Sequence, residues 1–153
     1  MSATFNVFDS IPDDLATLVG DGLSAFNTVA VGTSDWRDLA VSISSDDGCL
    51  GGLVGYTAWD WLFVKWLWIV DSARGQGLAA AAMVEAEKVA IRRGCRAAWI
   101  DTFNPAAKRL YESAGFTVFG ELPDFPIGHT RYFLQKRFAP TTVSVANQTD
   151  AAK

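Results

Sequence analysis

Apolar and polar residues follow two periods along this chain, and each period predicts its own kind of element. Between residues 38 and 43, apolar side chains alternate with small or polar ones, which is typical of a strand with one buried face. The apolar, aromatic-rich segment Leu62–Val70 predicts a buried strand. Further strands are predicted at residues 4–8, 50–59, 97–103, 117–121 and 130–138.

A helical period predicts three helices. Apolar residues lie on one face between residues 9 and 27, although Gly20 and Gly22 leave open whether this region forms two short helices. An alanine-rich run from Leu78 to Arg93 places small side chains four residues apart, so this helix can lie close to a sheet. The third helix is predicted over Pro105–Ser113.

The stretch Arg74–Ala79 joins the buried strand to the alanine-rich helix through two glycines. Backbone N–H groups converge at such a turn and the helix dipole adds partial positive charge, so the turn suits a phosphate. A P-loop is set aside because no Lys-Ser or Lys-Thr follows Gly77, and a dinucleotide fingerprint because position 80 is Ala80. A tight turn without a ligand is the remaining alternative.

A second motif lies downstream and consists of Asn104, Ala107, Leu110-Tyr111 and Gly115-Phe116. Together the two stretches resemble the R/Q-x-x-G-x-G/A and N-x-x-A-x-x-L-Y-x-x-x-G-F motifs of the GNAT superfamily of acyl-CoA-dependent N-acetyltransferases, in a small-domain bacterial branch. The resemblance covers residues 50–138. It implies an α/β (α+β) fold, with a mixed, mostly antiparallel central sheet flanked by helices and splayed strands that form an acetyl-CoA cleft.

The resemblance also implies a set of site residues. Tyr111 would be the catalytic general acid that protonates the leaving thiolate, although a tyrosine here could simply pack on the sheet. Asn104 would bond the pantetheine arm, and it also suits a helix cap before Pro105. The coenzyme-binding residues implied are Leu67, Trp68, Ile69, Arg74, Gly75, Gln76, Gly77, Leu78, Ala79 and Asn104.

The general base that would deprotonate the acceptor amine is left open by the sequence. Some relatives use a glutamate five residues before the motif asparagine, a position that Trp99 occupies here and cannot serve. The candidates are Asp101, Glu121, Asp124, His129 and a water relay.

The implied function is an N-acetyltransferase that moves an acetyl group from acetyl-CoA to a primary amine of a small molecule or peptide. One domain is expected over residues 1–138, with a disordered tail at residues 139–153. The alternative is a non-catalytic acyl-CoA sensor or scaffold, but such a module would not need the phenol of Tyr111. A third idea, a transferase acting on charged tRNA, is opposed by the acidic charge balance.

Composition narrows the partners further. Half of the 153 residues are hydrophobic, as expected for one globular domain, and the net charge of −4 argues against a nucleic-acid partner. No membrane span is expected, since Asp60 and Lys65 interrupt the longest apolar run. Cys49 and Cys95 have no metal or disulfide spacing, which predicts a cytoplasmic protein without a metal. The six tryptophans suggest a core cluster, a homodimer contact or an aromatic wall for the acceptor.

Overall fold

The computed structural model describes residues 2–140, and the predicted tail from residue 141 onward lies outside them. The chain divides into two compact units, Met1–Asp35 and Trp36–Lys153. The described elements are α1 (Asp13–Val31), β1 (Arg37–Ser45), β2 (Gly48–Ala58), β3 (Trp61–Ile69), a 3₁₀ turn (Asp71–Ala73), α2 (Leu78–Arg92), β4 (Ala97–Thr102), α3 (Pro105–Ser113), β5 (Thr117–Pro123) and β6 (Thr130–Arg137).

The first unit contains α1. This helix begins after Pro12, and Asp13 and Asp14 in its first turn favour the positive end of the helix dipole. It runs without a break through Gly20 and Gly22, so the region is one helix rather than two. The strand predicted at residues 4–8 is wrong, because this segment has no ladder partner and forms no strand.

The second unit is built on a mixed sheet in which the described strands have the order β1-β2-β3-β4-β6-β5. Among these strands, β3 and β4 pair in parallel and the other neighbouring pairs are antiparallel. The parallel pair needs a crossover connection, which α2 provides. The predicted α/β fold with a mixed, mostly antiparallel sheet flanked by helices is therefore confirmed.

The core of this unit lies between α2 and the sheet. Because alanines occupy most of the buried stripe of α2, the helix can approach β1, β2 and β3 closely. The buried residues of α2 are Ala82, Met83, Ala86 and Ala90. The strands contribute Leu53, Leu62, Val64 and Leu134, none of which is exposed to solvent.

The hairpin between β2 and β3 turns at Trp59 and Asp60. Both residues have positive φ, 46° and 61°, as required by the two-residue loops that match the twist of paired strands. The sequence pattern placed Trp59 at the end of one strand and left Trp61 outside the next. Both placements are wrong, because Trp59 lies in the turn and Trp61 is the first residue of β3.

Strands β3 and β4 diverge along their length. Their parallel pairing joins Trp61–Val64 to Ala97–Ile100, and beyond it β3 follows β2 while β4 follows β6. A bulge at Lys65 marks the point of divergence, since Val54 faces Trp66 and Gly55 faces Val64 across the β2–β3 ladder. The splayed strands expected from the sequence are thus present. The edge of β3 after the bulge is not paired to β4.

Candidate active site

The turn between β3 and α2 has the geometry of an anion-binding site. Gly75 and Gly77 adopt the left-handed conformation, with φ of 74° and 76°, and Gly77 is the N-cap of α2. No side chain caps this helix, so its first N–H groups face outward with the positive end of the dipole. A Cβ on either glycine would meet no atom within 4 Å, which leaves room for a bulky anion in front of the turn.

Arg74 braces this turn. Its Nε donates to the backbone carbonyl of Ile69 at 3.0 Å, and its Nη2 lies 2.8 Å from Oδ1 of Asp71. These contacts link the end of β3 to the 3₁₀ turn and so close the turn. The side chain remains half-exposed at the rim, where its charge can still reach a phosphate.

A cleft of about 530 Å³ runs from this turn along β3 to α3, and we call it the turn cleft. Tyr111 lines it together with all the predicted coenzyme-binding residues except Gln76, which lies on the turn but outside the wall of the cleft. The predicted residues that line it are Leu67, Trp68, Ile69, Arg74, Gly75, Gly77, Leu78, Ala79 and Asn104.

Asn104 is the N-cap of α3, as the pair Asn104–Pro105 predicts. Its Oδ1 accepts from the N–H groups of Ala106 at 2.8 Å and Ala107 at 3.4 Å. The cap occupies the oxygen of the side-chain amide, whereas the Nδ2 group takes no part in it. Since Asn104 also lines the turn cleft, its amide nitrogen can donate to a ligand there.

Tyr111 is buried in the core, with 5% of its surface exposed, yet it is one of the residues that line the turn cleft. Burial raises the pKa of this phenol to about 12, and the nearby Asp101 carboxylate adds to the rise. The phenol therefore stays protonated at neutral pH. This makes Tyr111 a dependable hydrogen-bond donor but a weaker acid than an exposed tyrosine.

A second cleft of about 710 Å³ adjoins the first, and we call it the aromatic cleft. Tyr111 lies on the walls of both clefts. The residues common to both clefts are Leu67, Trp68, Asn104, Ala107 and Tyr111. The aromatic cleft is completed by Phe63, Lys65, Trp66, Ile100, Asp101, Thr102, Phe103 and Arg131.

Of the side chains considered as the general base, Asp101 is the one that lines the aromatic cleft. Asp124 accepts from the backbone N–H of Gly128 at 3.2 Å within the β5–β6 loop. The ring of His129 lies beside Phe103, 6.3 Å between centroids. Neither of these loop residues, nor Glu121, lines a described cleft.

Arg131 was missed by the sequence analysis. Its Nη1 lies 2.5 Å from Oδ1 of Asp101, and the side chains are 24% and 21% exposed. The two residues are thirty positions apart, and the β4–β6 ladder, in which Asp101 faces Phe133, brings them together. No local pattern in the sequence signals a pair of this kind.

Two tryptophans, Trp36 and Trp99, stack on neighbouring aromatic rings, and two others line the aromatic cleft. Trp99 stacks on Phe63 at 4.1 Å between centroids. Trp66 and Trp68 line the aromatic cleft and are 63% and 58% exposed. The aromatic wall considered from the sequence therefore has two tryptophans available to a ligand.

Within residues 2–140, the structure contains no group of three or more His, Cys, Asp or Glu side chains that could hold a metal ion. None of the helices in this range is long and apolar enough to cross a membrane.

Comparison with known proteins places the chain in a family. The model of the acetyltransferase (GNAT) family matches residues 20–116. Acetyltransferase Atu2258 of Agrobacterium fabrum is 46% identical over 121 residues, which cover 78% of this chain and 88% of that protein. Blasticidin-S acetyltransferase of Streptomyces morookaense is 37% identical over 87 residues, which cover 56% and 64% of the two chains.

The fold comparison agrees with the family match. A crystal structure of a candidate acetyltransferase from Agrobacterium tumefaciens superposes with a TM-score of 0.83 at 42% identity, over 89% of this chain and all of that one. The chain therefore belongs to the GNAT family of acetyltransferases and is an acyltransferase.

Proposed function

We propose that this protein transfers the acetyl group of acetyl-CoA to a primary amine of a small molecule or peptide, with Tyr111 protonating the sulfur that leaves. The observation that carries the proposal is the position of Tyr111 on the wall common to the two clefts. A donor molecule in one cleft and an acceptor in the other would react beside this residue. Family membership favours this enzyme over the sensor considered from the sequence.

The turn cleft fits the donor. The uncapped N–H groups at the start of α2 suit a pyrophosphate, and Gly75 and Gly77 let it approach the backbone. The edge of β3 from Leu67 to Ile69 is not paired to β4, so its backbone groups can bond an extended pantetheine arm as an added strand would. A backbone N–H on this edge would stabilise the thioester oxygen as it gains charge.

The proposed reaction forms a C–N bond and breaks the C–S bond of the thioester. An ammonium acceptor first loses a proton, either to Asp101 or to water, and the amine nitrogen then adds to the carbonyl carbon. As the thiolate leaves, Tyr111 gives its proton to sulfur and regains one from the acceptor nitrogen through solvent. The products are an amide, a thiol and one proton released to water.

The raised pKa of Tyr111 limits how this proton moves. A phenol with a pKa of about 12 cannot protonate a thiolate of pKa about 8.5 in a separate step without a cost of about 5 kcal/mol. We therefore assign Tyr111 a hydrogen bond to the sulfur as its charge develops, with the proton transferred during cleavage of the C–S bond. In this role the neutral, buried phenol is an electrostatic stabiliser as much as an acid.

A small-molecule acceptor is supported by the relative named blasticidin-S acetyltransferase. The aromatic cleft offers Trp66, Trp68 and Phe63 to the apolar part of such a molecule and Asp101 to its amine. A peptide amine remains within the proposal because both clefts are open to solvent.

The experiment is acetyl-CoA-dependent thiol release with pooled acceptors: blasticidin S, aminoglycosides, polyamines, amino acids, arylamines and short peptides. A blank without acceptor corrects for the exposed thiol of Cys49. Release that requires an amine, and that falls in Tyr111→Phe, would support the proposal. If no pool gives thiol release while calorimetry still detects binding of acetyl-CoA, the proposal that the protein acetylates these amines would be overturned. Absence of acetyl-CoA binding would overturn the assignment of the turn cleft.

A further inference from the structure

The side chains that line the aromatic cleft carry a net positive charge. Among its lining residues, Lys65 and Arg131 are cations and Asp101 is the one anion, so the described cleft has an excess of one positive charge. An acceptor that arrives as an ammonium ion and carries no other charge would meet net repulsion there. An acceptor that also carries an anionic group would complement the cleft.

Arg131 is held in a fixed position at this cleft. Its guanidinium lies 4.4 Å from the ring centroid of Phe125 and 5.3 Å from that of Phe103. The ion pair with Asp101 uses Nη1. These contacts fix the plane of the guanidinium, so an incoming group would meet a donor that is already oriented.

The hydrogen-bonding capacity of Arg131 is incompletely used within the described chain. Its Nε is buried and donates to no described atom, although a buried donor without a partner costs about 1–3 kcal/mol. A guanidinium presents several N–H groups in one plane, a geometry that matches the oxygens of a carboxylate or phosphate. Asp101 takes one of these donors, and oxygens of a ligand can take those at the exposed edge of the head group.

We propose that the acceptor carries an anionic oxygen group, such as a carboxylate or a phosphonate, next to its amine, and that Arg131 binds this group. The inference rests on the proposed function and names the substrate class of the same site. The amine then lies towards Asp101 and the Tyr111 phenol. Trp66, Trp68 and Phe63 receive an apolar or aromatic substituent.

The test compares acceptors that differ in a single group. The probes are L-phenylalanine, its phosphonate analogue and phenethylamine, which has the same ring and amine but no anion. We expect kcat/KM for phenylalanine or the phosphonate to exceed that for phenethylamine by about tenfold or more. Whichever of phenylalanine and its phosphonate analogue has the higher kcat/KM shows which anion the site prefers.

Variants at position 131 separate recognition of the anion from a structural role. Arg131→Met keeps much of the length of the side chain and removes its charge, so the ratio of kcat/KM for the anionic acceptor to kcat/KM for phenethylamine should fall by about tenfold. The ratio cancels any effect on both acceptors that arises from the loss of the ion pair with Asp101. Arg131→Lys restores the charge and should restore part of the preference. Calorimetric affinity for acetyl-CoA should stay as in the wild type and serves as the control for folding.

Binding provides a readout besides turnover. In the presence of coenzyme A, N-acetylphenylalanine should bind more tightly than N-acetylphenethylamine, and Arg131→Met should remove the difference. Equal values for the anionic and uncharged probes, by turnover and by binding, would overturn the inference, as would an equal loss for both in Arg131→Met. Failure of the proposed function has a different result, namely no thiol release with any amine.

Discussion

Lys136 donates to both carboxylate oxygens of Glu87, at 2.8 and 2.7 Å, and so ties β6 to α2. The pair is largely shielded, since the side chains are 25% and 12% exposed. The pair Lys88–Glu85 on the outer face of α2 has a similar distance, 2.7 Å, but is more than half exposed at each residue. The first pair joins two elements and is shielded from water, whereas the second lies within one helix and is exposed.

We expect Lys136→Met to lower the free energy of unfolding by about 1–3 kcal/mol, because it leaves the shielded carboxylate of Glu87 without its partner. Lys88→Met should change it by less than about 0.5 kcal/mol. Urea denaturation measures both. Adding Glu87→Gln to Lys136→Met should recover part of the loss, and simple additivity of the two changes would contradict the coupling.

Gly77→Ala should weaken binding of acetyl-CoA by roughly tenfold. The left-handed conformation costs a residue with a Cβ about 1–2 kcal/mol, and the methyl group would project into the open side of the turn. Gly94→Ala is a matched control, since Gly94 has φ of 87° and similar open space but follows the other end of α2. Both variants should lose similar stability, and calorimetry should find weaker binding in Gly77→Ala alone.

Tyr111→Phe should lower kcat by at least about tenfold and leave the affinity for acetyl-CoA nearly unchanged, because in the proposed mechanism the hydroxyl acts on the leaving sulfur and not on the coenzyme anchor. Steady-state kinetics with the acceptor found by thiol release measures this. Tyr132→Phe removes a hydroxyl from β6 outside both clefts and should keep full turnover. A Tyr111→Phe enzyme with wild-type kcat would remove this residue from the mechanism.

The Tyr111 phenol should also make the free energy of unfolding depend on pH. Because the folded-state pKa of Tyr111 is raised to about 12, the folded protein favours the neutral form. This contribution is complete below about pH 10, the pKa in the unfolded chain, and is lost as the pH rises towards 12. Between pH 9 and 11.5 the wild type should lose about 2 kcal/mol more stability than Tyr111→Phe. Equal losses in the two proteins would contradict the raised pKa.

The two cysteines should react with thiol reagents at very different rates. Cys49 is exposed, whereas burial raises the pKa of the Cys95 thiol and the carboxylate of Asp60 adds to the rise. Native protein should therefore label quickly at one thiol and at the second only after unfolding. Cys49→Ser should abolish the fast phase, and a fast phase that persists in this variant would show that Cys95 is accessible.

The elements around the turn cleft could be predicted because their signals are local. The change from an apolar strand to an alanine-rich helix across Gly75 and Gly77 occupies consecutive residues, and α3 begins and ends where Asn104 and Gly115 predict. Helix caps and left-handed glycines depend on neighbouring residues alone. For this reason the bounds predicted for α3 agree with the structure.

The aromatic cleft could not be predicted in the same way. The pairing of Arg131 with Asp101 depends on the β4–β6 register, and the bulge at Lys65 depends on how β2 meets β3. The positive φ of Trp59 is also set by strand twist, since tryptophan has no preference for that conformation. In each case the structure follows from contacts between distant parts of the chain, which a linear pattern does not contain.

The missing side-chain cap of α2 links ligand binding to the dynamics of the helix. Amide hydrogens at the start of this helix have no intrahelical acceptor, so whatever binds in front of Gly77 becomes the cap. We expect hydrogen exchange of the amides of residues 78–80 to slow markedly when acetyl-CoA is added, while exchange in α3, which Asn104 already caps, changes less. The exchange rate of the amides in the first turn of α2 would then report how much of the protein has coenzyme bound.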